Sequence, residues 1–169
     1  MCSETAATST LPDNANPAVF EALRCGACLT NLGLMQSRLR KLAAELQGRR
    51  PPEVDASAIL EEVCAETAAE FGLPVSKKLQ DIAVTGEVPM FIKAVPSKRV
   101  ARGGFITDHL KRTCGQIVEL SDETVYEQYE DANLINTVCS EETGACRFKA
   151  LAKVQRAAAA REREAKQEL

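Results

Sequence analysis

The sequence predicts an all-α fold: a disulfide-stapled bundle of four to five helices with a long irregular insertion between the second and third. Three observations predict it. Of the 169 residues 45% are hydrophobic but only 4% aromatic, and Trp is absent. That balance favours helices packed through Leu, Ala, Val and Ile over an aromatic-rich sandwich. After Cys28 the apolar residues fall at Leu32, Met35, Leu39, Leu42 and Leu46, an alternation of fours and threes that lays one stripe along a helix. Six of the seven cysteines (Cys25, Cys28, Cys64, Cys114, Cys139 and Cys146) lie in or beside helical patterns.

The elements follow in order. Residues 1–16 read as a disordered segment, rich in Ser, Thr, Ala, Asn and Pro, and Cys2 within it reads as incidental. Asn16-Pro17 starts the first helix, with Asn at the N-cap and Pro at the first helical position. The helix runs to about Gln47, where Gly48 and Pro51-Pro52 stop it. Asp55 caps the second helix, whose buried face is Ile59, Leu60, Val63, Cys64, Thr67 and Phe71, and Gly72 with Pro74 ends it.

Residues 73–103 form the insertion. Leu79, Ile82, Ala83 and Val84 suit either a short helix or a strand, and Thr85 to Pro89 read as a turn. Met90-Phe91-Ile92 is a short apolar run, and Lys98, Arg99 and Arg102 stand in an exposed basic loop closed by Gly103-Gly104. A third helix is expected from about Phe105 to Leu120. The lone histidine, His109, lies next to its apolar face and reads as a surface or boundary residue, neither a metal ligand nor a catalytic group. Ser121-Asp122-Glu123 caps a fourth helix that ends near Cys139. A short loop then leads to Cys146, and Phe148, Leu151 and Val154 continue the packing. The domain so defined covers 17–155. Residues 156–169 read as a charged, solvated helical tail.

Composition excludes some functions. A net charge of −3 argues against a nucleic-acid binder. No apolar run approaches the roughly 18 residues of a membrane span. Lipid binding stays an alternative for amphipathic helices on disulfide-linked pairs, although their polar faces are not notably basic and aromatics are few, unlike interfacial lipid-binding helices. Seven cysteines are many for a cytosolic protein, and six in regular order point to disulfides and an oxidising compartment. Met1 to Pro17 lacks the basic start and apolar run of a secretory leader, so either a leader has been removed or the protein is not secretory. At the other end Lys166-Gln167-Glu168-Leu169 approaches the K-D-E-L retrieval signal of the endoplasmic reticulum.

Three chemistries compete for the cysteines. Cys25-x-x-Cys28 has zinc spacing, but no second close pair completes a site, so no metal or cofactor is expected. The same pair suits redox catalysis when its first thiol sits at a helix N-terminus. Here the helix begins about two turns earlier, beyond the reach of the end dipole, and no βαβ pattern supports a thioredoxin-like fold. The third reading, favoured here, is a structural frame, with redox use of Cys25 and Cys28 as its alternative. Six cysteines admit fifteen pairings, and sequence alone does not choose among them. Their order suggests one, a nested scheme of Cys25–Cys146, Cys28–Cys139 and Cys64–Cys114.

A Cys-x-x-Cys, two isolated helical cysteines and a close final pair form the saposin-like order, with the wider gaps of the canopy family of luminal proteins. Leu23 to Cys28, Arg112-Thr113-Cys114, Val125-Tyr126-Glu127, Val138-Cys139, Gly144-Ala145-Cys146 and the terminal Glu168-Leu169 resemble the marginal-zone B-cell-specific protein family within it. The likeness spans about residues 23–146 plus the terminus, and residues 74–104 do not match clearly. The resemblance implies a saposin-like helical fold in the endoplasmic-reticulum lumen and a non-enzymatic role in protein folding, with lipid binding, the older saposin-like role, as an alternative. The implied partners are the resident Hsp-ninety-class chaperone and secretory client proteins.

Overall fold

The computed structural model describes residues 16–167. Helix α1, Pro17–Glu45, is the axis of the protein. The Asn16 side chain accepts hydrogen bonds from the backbone N–H groups of Ala18 (3.0 Å) and Val19 (3.4 Å), satisfying donors that a helix end leaves orphaned. At the far end Gln47 and Gly48 adopt positive φ, and Gly48 N–H bonds back to the Ala43 carbonyl, closing the last turn. The predicted stripe is real: Leu32, Met35 and Leu39 are fully buried. Burial extends beyond one face, since Ala27, Asn31 and Gln36 are also inside. The helix threads two clusters. One gathers Cys28, Leu32, Met35 and Leu39 with Leu60, Val63, Ile117, Val125, Leu134 and Val138. The other joins Val19, Leu23 and Ala27 to Leu73, Ile82, Phe91, Ile106 and Leu110.

Helix α2, Glu53–Glu70, begins two residues before the expected cap. Pro52 holds the N-cap position, and Asp55 instead lies in the first turn with Glu53, where both carboxylates complement the helix dipole. Ala56, Leu60, Val63 and Thr67 face the core. Phe71 does not continue the helix; it opens a strand.

The all-α expectation fails in the insertion. Strand β1, Phe71–Pro74, pairs antiparallel with β2, Ile92–Lys93, on one side and with β3, Val100–Ala101, on the other. Phe71 faces Lys93 and Leu73 faces Ala101. Gly72 makes the pairing possible, because a side chain there would strike the Ala101 carbonyl. Strands of two to four residues are too short to show a period of two, so sequence patterning did not reveal them. Between β1 and β2, helix α3, Leu79–Thr85, ends on Gly86 in the left-handed conformation. Leu79 and Ile82 are therefore helical. The insertion docks on α1: the Thr30 hydroxyl donates to the Gly26 carbonyl and accepts from Phe91 N–H (3.1 Å), and Phe91 is buried.

Helix α4, Gly104–Gln128, runs without a break through the predicted cap at Ser121. Leu110, Cys114, Ile117, Ser121 and Val125 fall at fours and threes, and all are buried. Ser121 occupies a core-facing position of a continuing stripe, so the packing of its neighbours overrides its preference for a cap. His109 is also buried, only 7% exposed, against the edge of Phe20; the boundary expectation is corrected. The first turns of the predicted fourth helix are the end of α4; after a turn at 129–131 its remainder is a π-helical segment, Asn136–Glu142. Helix α5, Phe148–Gln167, follows, with Val154 against the core and Arg161 to Gln167 exposed. Counting the π-helical segment, the described residues contain six helices.

Candidate functional site

The site is a clasp made by three disulfides. Cys25 and Cys28 share a face of α1 because residues three apart lie one above the other on a helix. Cys139 sits inside the π-helical segment and Cys146 just beyond it. The bridges are Cys25–Cys146, Cys28–Cys139 and Cys64–Cys114, with Cα separations of 4.5, 6.0 and 5.5 Å. The pairs are nested, and Cys25 and Cys28 are not joined to each other. Two bridges tie the middle of α1 to the chain that closes the core. The third ties α2 to α4.

Thr143 organises the closing segment. Its N–H bonds to the Val138 carbonyl, an i→i+5 bond of the π-turn, and its hydroxyl donates to the same carbonyl at 2.8 Å. That hydroxyl also accepts from Ala145 N–H and lies 3.9 Å from the Cys28 sulfur. Gly144 then turns the chain with φ 66°, a value that side-chain-bearing residues seldom adopt. Cys146 N–H bonds to the Cys139 carbonyl at 2.7 Å, which sets the two cysteines side by side. From α1, the Arg24 guanidinium donates to the Thr143 carbonyl at 3.2 Å, and Glu21 pairs with Arg147. Neither Thr143 nor Arg24 was singled out from sequence. The Thr-Gly-Ala turn before Cys146 is the only local signal for them.

Accessibility divides the sulfurs. Cys25, Cys28, Cys114, Cys139 and Cys146 are buried, while Cys64 is half-buried. Among the described residues no group of three or more His, Cys, Asp or Glu is arranged to hold a metal ion, and no helix is long and apolar enough to cross a membrane. Three bridges in one domain mark a protein of an oxidising environment, secreted or luminal. Lys166 and Gln167 are exposed at the end of α5, while Glu168 and Leu169 lie outside the described residues. No family model, curated protein or solved structure matches the chain.

Proposed function

We propose that the protein is a non-catalytic folding factor, or co-chaperone, of the endoplasmic-reticulum lumen that assists folding and disulfide-dependent assembly of secretory clients. One observation carries this reading: Cys25 and Cys28 each bond a distant cysteine, and all four sulfurs of those bridges are buried. Thiol–disulfide exchange requires a thiolate to reach a bridge sulfur, and burial denies that approach. Cysteines used as clamps leave binding as the working mode, which suits the Hsp-ninety-class chaperone and client partners implied by the canopy resemblance. The retrieval-like Lys166-Gln167-Glu168-Leu169 belongs to the same proposal. Affinity isolation of the tagged protein from the secretory pathway tests it, the expected result being recovery of the chaperone or of nascent secretory chains. A protein recovered alone, or one reaching only the cytosol, refutes it.

One observation favours a second reading. Of the six bridged cysteines only Cys64 is not fully buried, so any oxidoreductase activity would use the Cys64–Cys114 bridge and not Cys25 with Cys28. Insulin-reduction assays on a Cys64→Ala/Cys114→Ala variant separate the two readings.

A further inference from the structure

On the side of the bundle where α1 crosses the start of α4, a cavity of about 180 Å³ is lined by Phe20, Arg24, His109, Arg112, Thr113 and Gln116. Its polar groups are incompletely used. Nε2 of His109 is buried and has no hydrogen-bond partner among the described residues, and the same holds for Oε1 of Gln116. Arg112 is exposed and forms no ion pair among the described residues. Arg24 gives one nitrogen to the Thr143 carbonyl, and its guanidinium makes no other hydrogen bond or ion pair among the described residues. The Thr113 hydroxyl is committed: it donates to the His109 carbonyl and accepts from the Asn31 amide. Asp108 stands at the rim, lining a smaller adjoining cavity with Phe20, His109 and Arg112.

Unpaired buried polar atoms are uncommon in native interiors and call for a partner. Two arginines lining one cavity supply donors and positive charge, the residue type that recognises oxyanions. An orphan carbonyl oxygen on Gln116 asks for a hydrogen-bond donor, which a protonated anion's own hydroxyl can supply. We propose that Arg24, Arg112, His109 and Gln116 form a binding site for a small protonated oxyanion of the dihydrogen-phosphate type. The anion's oxygens accept from the guanidiniums and from His109, and its hydroxyl donates to Gln116. The volume suits such an ion with a few waters, each about 30 Å³ in the liquid. The electrostatics agree. Burial chiefly, then Arg112, holds His109 below its ordinary value; Asp108 opposes this and Arg24 adds to it. An anion seated between the guanidiniums relieves that field.

His109 is the only histidine, so its imidazole proton resonance is a single-site reporter. The experiment is an NMR pH titration of the full chain in phosphate-free buffer, repeated with increasing inorganic phosphate and with sodium chloride at matched ionic strength. Phosphate is expected to raise the His109 midpoint saturably, by roughly one pH unit. Sulfate has no hydroxyl for Gln116 and should bind at least about fivefold more weakly. The response should be lost in Arg112→Gln and kept in Arg49→Gln, whose arginine is exposed elsewhere. O-phosphoserine, run in parallel, distinguishes an esterified phosphate, if it binds, from the free ion, if only inorganic phosphate does; either supports the site. A midpoint unmoved beyond the chloride control, or a response preserved in folded Arg112→Gln, overturns the proposal. Sulfate binding as tightly as phosphate overturns the protonated form.

Discussion

Nested bridges do not contribute equally, and the clasp lets the inequality be worked out. Cys25 precedes Cys28 by three positions and Cys146 follows Cys139 by seven. With Cys28–Cys139 formed, closing Cys25–Cys146 completes a ring of only about ten residues, for which the chain-entropy relation gives about 2.7 kcal/mol. With the inner Cys64–Cys114 bridge in place, whichever outer bridge closes first completes a ring of some 60–70 residues, worth about 4.3 kcal/mol on the same relation. Replacing either outer pair by alanine therefore costs about 2.5–3 kcal/mol, because its neighbour still closes the large ring, whereas replacing both costs about 7 kcal/mol. The excess of the quadruple variant over the sum of the two double variants is about 1.5 kcal/mol. Deleting sulfur atoms from the core also loses packing, but that loss is largely common to both sides of the comparison. Guanidinium denaturation followed by circular dichroism measures all three variants. Losses that simply add, or a quadruple variant no worse than a double, refute the ring argument and indicate that native-state strain or residual unfolded structure dominates.

Gly26 lies beneath the Pro89 carbonyl, and a methyl group there would collide with it. Gly26→Ala should push the insertion off α1 and cost about 2–3 kcal/mol, read as a fall in melting temperature, with protease cutting first within residues 86–99. Asn16→Ala removes the cap of α1 and should cost about 1 kcal/mol, whereas Asn16→Asp should recover most of it. His109 is held below 6.5 in the folded protein, so the unfolded chain binds more protons between the folded value and 6.5. Stability should rise with pH across that window, level off above it, and fall as pH drops through 6.5. Melting temperatures from pH 7.5 to 5.5 in phosphate-free buffer check this. The slope should flatten in His109→Gln, and an unchanged slope removes His109 as its source.

Sequence alone determined the features that depend on near neighbours. The Asn16-Pro17 start, the Leu32–Met35–Leu39 stripe and the apolar face of α2 arise from contacts within a few turns of one helix, and their periodicity carries them. The order of the six cysteines suggests the nested pairing but leaves the other arrangements open; the tertiary structure chooses it, because spacing along the chain does not say which Cα atoms approach within 4.5–6.0 Å. The strands at Phe71–Pro74, Ile92–Lys93 and Val100–Ala101 likewise draw their stability from partners some twenty or more residues away. Ser121 carried a local cap signal that lost to the stripe running through it. His109 and Gln116 look like ordinary helix residues until α1 brings Arg24 and Phe20 against them. Local chemistry writes helices into a sequence, whereas the closing of distant segments on one another decides which sulfurs meet and which polar atoms are left facing a cavity.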